Sequence, residues 1–150
     1  MAKRELHRKI GRHSSMSTSS RNLRQFVRQA LVAKTGVPSP HLAQLASAFD
    51  QLCDQLRARL HPIFGNAAIV ALFARAHHTA MSEFPWLGEV VPKDGQRCSQ
   101  DGVEGVRGLE PELIAQGLAA VLAYDIGLLS TFIGEDLVMP LVEEAWGDAS

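Results

Sequence analysis

Apolar residues recur along this chain at steps of three and four, so the sequence predicts helices rather than strands. From about Ser20 to Lys34, Leu23, Phe26, Val27, Ala30 and Leu31 share one helical face, with Ser19 or Ser20 as cap. Gly36 closes this helix ahead of Pro38. A second helix is expected from Ser39, with Pro40 at its first position, until His61-Pro62 stops it. Its Leu42, Leu45, Phe49, Leu52, Leu56 and Leu60 form a seam close to heptad spacing. A third runs from about Asn66 to Glu83, with Ile69, Val70, Phe73, Ala76, His77, Ala80 and Met81 on a broad apolar face before Pro85.

Residues 86–108 hold five glycines and Pro92 without either period, which predicts a flexible loop, apart from Trp86 and Leu87 packing back onto helix three. A fourth helix opens with Pro111 and is apolar nearly all round to Ile133, the pattern of a central, buried helix. Gly134 breaks it. A fifth helix follows from Glu135-Asp136 to Trp146, where Pro140 is expected to bend it or to shift its start to Met139. The expected fold class is all-α, an antiparallel bundle of four or five helices. Residues 1–19 are expected to be a disordered arm and 20–150 a single helical domain.

Composition sharpens this picture in two ways. Aromatic residues make up 6% of the chain and the apolar content is mainly Ala and Leu, which argues against an all-β fold. The most apolar stretch, Leu113 to Ile133, is interrupted by Gln116, Tyr124 and Asp125, so no transmembrane segment is expected. No secretory signal is read either; the Arg- and Ser-rich start has the composition of an organellar transit peptide, but the body offers nothing to match it. Cys53 and Cys98 are far apart and in no CxxC pair, which suits a reduced, cytoplasmic setting.

Charge is split along the chain. Residues 1–34 carry nine basic side chains against Glu5, and the remainder carries six basic and fifteen acidic ones. A net charge of −1 therefore hides a basic arm in front of an acidic body. Lys3, Arg4, Arg8, Lys9, Arg12, Arg21, Arg24 and Arg28 are the candidates for contact with a polyanion or an acidic partner.

Candidate chemistry is sparse. His77 and His78 are adjacent on a helix and point about 100° apart, so they cannot share a metal. No zinc-ligand spacing, nucleophile elbow or phosphate loop occurs, so no catalytic residue, metal or cofactor is assigned. Cys98 stands beside Arg97, a weak reason to expect an activated thiol. Asp125, on the most apolar helix, needs a partner if buried, and Arg75, His77 and Tyr124 are the candidates.

These observations favour a non-enzymatic regulatory or interaction module that pairs with itself or docks on a larger signalling protein. The seam of Leu45, Phe49, Leu52 and Leu56, with Trp146, is the expected interface. One alternative is nucleic-acid binding through the basic arm and helix one. Another is a small-molecule or haem sensor with a pocket around His77, Tyr124 and Asp125.

Overall fold

The computed structural model describes residues 22–91, 98, 100–106 and 108–147. The expected arm at 1–19 lies outside these, as do the basic side chains from Lys3 to Arg21. Seven helices and no strand occur among the described residues, so the chain is all-helical. They are α1 (22–35), α2 (Leu42–Phe64), α3 (Asn66–Met81), α4 (Leu87–Val90), α5 (Gln100–Gly105), α6 (Pro111–Ile133) and α7 (Glu135–Trp146).

α6 is the helix around which the others gather, packing on α3, α7 and α2. Its start follows from Pro111 at the first helical position and Glu112 in the first turn, where a negative charge meets the helix dipole favourably. By length and composition α6 would suffice to cross a membrane, which the reading of an interrupted apolar run did not anticipate. Two-thirds of its most apolar window is packed inside the fold. α1 joins the same core: Val27 and Leu31 are fully buried, and Phe26 stacks on Trp146 with ring centroids 6.1 Å apart.

Two single-residue breaks organise the chain. Gly65 separates α2 from α3, and Gly134 separates α6 from α7. Their φ values are 82° and 91°, a region that strains any residue with a Cβ, and each N–H donates to the carbonyl four residues back. The chain therefore turns sharply without losing the last helical hydrogen bond.

Several boundaries differ from the sequence reading. α2 begins at Leu42 rather than Pro40, because the His41 N–H is capped by Gln44 Oε1 at 3.0 Å. It also continues through Pro62, which forgoes the hydrogen bond to the Ala58 carbonyl. α7 runs through Pro140 and keeps its start at Glu135. The segment expected as a loop at 86–108 holds two short helices, and its Leu87, Val90, Val91 and Val106 are buried. These apolar residues are few but spaced to face inward, and glycine allows the close fit. At Gly102 a Cβ would fall 1.9 Å from the Glu89 carbonyl oxygen. Leu87 packs toward α3 as expected, but the Trp86 ring lies against Gly117 of α6.

Candidate interaction groove

The first three turns of α3 and the last two turns of α6 leave a cleft between them. It has a volume of about 540 Å³ and is lined by ten residues, of which Arg75 alone is charged. α3 and α6 run in opposite directions along it. The end of α3 meets the middle of α6, where Glu83 bonds Tyr124, while Phe64 and Ala68 share the cleft with Phe132 and Ile133. The cleft is open because none of the described helices covers this side of α6: Phe132 is 70% exposed at its rim. Ile63, next to the lining Phe64, and Leu137, four residues after Ile133, are 54% and 62% exposed. An apolar patch so placed on a folded chain marks a surface that gains by being covered.

The interface seam expected on α2 is not a surface. Leu45, Phe49, Leu52, Leu56 and Trp146 are all buried in the chain's own core, and the Trp146 indole Nε1 donates to the Leu52 carbonyl at 3.0 Å. The physical reason is that α6 and α7 both pack on α2 and absorb its apolar face. The exposed apolar surface lies instead on α6 and α3, where a helix apolar all round gave no sign of which side its neighbours would leave open.

The three residues expected to line a sensor pocket do not converge. His77 is buried, and its Nε2 sits 3.3 Å from the Leu87 carbonyl oxygen, which the tautomer protonated at Nε2 satisfies. Tyr124 turns outward to α1 and donates to Glu83. Asp125 turns inward and is fully buried, with neither carboxyl oxygen hydrogen-bonded. Its charged neighbour is Arg57 of α2, not Arg75, His77 or Tyr124. Burial pushes the Asp125 carboxyl well above the ordinary aspartate range, and Arg57 only partly opposes this. Arg57 itself reads as a solvent-facing residue in the sequence. In the fold its guanidinium stands 4.7 Å above the Phe73 ring and its Nη2 is buried without a partner.

Neither thiol is activated. Cys53 is buried, and burial raises its pKa well above the thiol's usual value. Cys98, expected in a flexible loop, is held against α2 by its N–H donating to Asp50 Oδ1 at 3.0 Å. Burial and the nearby Asp50 charge push its pKa up as well, opposite to what a reactive thiol needs. Among the described residues no group of three or more His, Cys, Asp or Glu side chains could hold a metal ion.

Two of the eight basic candidates are already paired within the chain. Arg24 makes a two-pronged contact with Glu83, Nη1 to Oε2 at 3.0 Å and Nη2 to Oε1 at 2.5 Å, and also donates to the Tyr124 hydroxyl at 2.7 Å. Arg28 grips Glu112 in the same manner, Nε to Oε2 at 2.7 Å and Nη2 to Oε1 at 2.5 Å. Each pair holds its glutamate below the usual carboxylate range. The acidic body thus folds the second half of the basic segment onto itself.

No protein-family model matches this sequence, and no curated protein or solved structure gives a match to it.

Proposed function

We propose that this chain is a helical bundle serving as a protein-interaction module, and that it meets its partner through the α3–α6 groove. The observation that carries this reading is an apolar cleft of about 540 Å³ left open beside a 70%-exposed Phe132. Large aromatic side chains set beside apolar pockets are the usual anchors of protein interfaces. A groove between two helices also has the shape that receives an amphipathic helix. Nucleic-acid binding draws less support, because Arg24 and Arg28 are engaged by Glu83 and Glu112 and an incoming phosphate would compete with both. The sensor reading loses support because His77, Tyr124 and Asp125 face three different environments.

The test is site-specific photocrosslinking in cells expressing the full chain. A benzophenone amino acid replaces Ala71, which is exposed and lines the groove, or Gln51, which is exposed on α2. Polypeptide adducts are expected at Ala71, lost with Phe132→Glu, and absent at Gln51. Equal labelling at the two positions, or none at either, would contradict the reading.

A further inference from the structure

We infer that the groove's occupant is a second copy of this chain, paired about a two-fold axis through the middle of the cleft. This rests on the interaction reading above and names its partner.

The first argument is shape. A two-fold interface brings one surface patch against itself, so the patch must contain both a projection and a recess. This one does: Phe132 projects from the rim of a cleft lined by Phe64, Leu72 and Leu128. Rotation about the axis carries Phe132 of each copy toward the recess of the other.

The second argument is charge. Because α3 and α6 are antiparallel, Arg75 marks one end of the groove. Phe64 and Ile133 mark the other, with Glu135 and Asp136 exposed just beyond. Among the described residues Arg75, Glu135 and Asp136 form no ion pair with one another or with any other side chain. A two-fold axis lying across the groove exchanges its ends, so the basic end of one copy faces the acidic end of the other, twice over. Opposed patches of this kind fix register and speed encounter. A parallel arrangement would set like charges together.

The size of the patch bounds the strength. Ten lining residues with Ile63 and Leu137 fall short of the roughly 20–30 residues per side of a standard interface. The dimer therefore belongs to the weaker, concentration-dependent class.

Sedimentation velocity of the full chain, from micromolar to near-millimolar concentration, tests this. A monomer–dimer transition is expected, with Phe132→Glu weakening association by about tenfold or more. Phe132 is mostly exposed, so unchanged circular dichroism and melting temperature should accompany that loss. A charge exchange gives an independent arm. A chain with Arg75→Glu, and a second with Glu135→Lys and Asp136→Lys, should each associate poorly alone and pair when mixed. A monomer at every concentration, a dimer indifferent to Phe132→Glu, or no gain on mixing would overturn the proposal. If the chain is monomeric yet Ala71 still crosslinks in a Phe132-dependent way, the self-pairing falls and the interaction reading stands. Loss of both removes both.

Discussion

Asp125 of α6 lies within the electrostatic reach of Arg57 of α2, yet no hydrogen bond joins them. Both Asp125 carboxyl oxygens and Arg57 Nη2 are buried without partners. An ionised carboxylate so placed would be costly, and burial shifts Asp125 toward its neutral form. The acid sits in the contact that fastens the central helix to α2, so its protonation state bears on the stability of the whole core.

A carboxyl whose folded pKa stands above its unfolded value holds its proton more tightly in the fold. Stability is then highest at low pH and falls as pH rises from about the unfolded value, 3.8, toward the folded one. We expect Asp125→Asn, which keeps the shape and removes the charge, to stabilise the protein by ~1–3 kcal/mol at pH 7. The gain should shrink near pH 4. If Asp125 were instead an ionised partner of Arg57, the same change would cost ~3–5 kcal/mol. Urea unfolding at the two pH values separates these outcomes.

The opposite sign holds at the α1 clamp. Arg24 lowers the Glu83 pKa below its ordinary 4.5, chiefly through their hydrogen bonds. That contribution is present above pH 4.5 and is lost as pH falls through the lowered value. The side chains are 33% and 41% exposed, so screening keeps the effect small. Arg24→Ala should cost ~1 kcal/mol or less at neutral pH. The difference from the native chain should narrow in high salt and again in acid. Thermal melts in a matrix of pH and salt provide the measurement.

Gly117 is a packing constraint in the second turn of α6. A Cβ there would lie 2.4 Å from Trp86 Cζ2 and 2.6 Å from Cη2. Helix propensity alone would favour Gly117→Ala by ~1 kcal/mol. Overpacking of ~1–3 kcal/mol opposes it, because the obstructing atoms belong to a rigid ring. We expect a lower melting temperature and a red shift in tryptophan emission as Trp86 is displaced. A stabilised variant with unchanged emission would show that the ring yields freely.

The all-helical class and the limits of α6 are legible from the residues alone, since Pro111 and Gly134 bracket a predominantly apolar stretch. α1 is legible over its described turns, through Phe26, Val27 and Leu31. The surface was not legible, for a physical reason. A spacing such as Leu128, Phe132 marks a face as apolar but does not say whether a neighbour covers it. The α2 seam is equally apolar and is covered completely. Arg57 illustrates the converse: its place on the polar side of α2 reads as solvent-facing, and only the fold shows its guanidinium laid over Phe73 of α3. The region from Trp86 to Gly108 looked unstructured because its glycines dominate the pattern. At Gly102 and Gly105 they lie within a short helix, and Gly102 allows close contact with Glu89.

Backbone chemical-shift mapping of the full chain on dilution is the most direct measure of whether the α3–α6 groove is the contact surface. Between near-millimolar and micromolar concentration, we expect the amides of Ala68, Ala71, Leu128 and Phe132 to shift together, while those of Gln51 and Asp54 on α2 stay fixed. Shifts confined to α2, or a spectrum that does not change with concentration or with any added partner, would contradict the account.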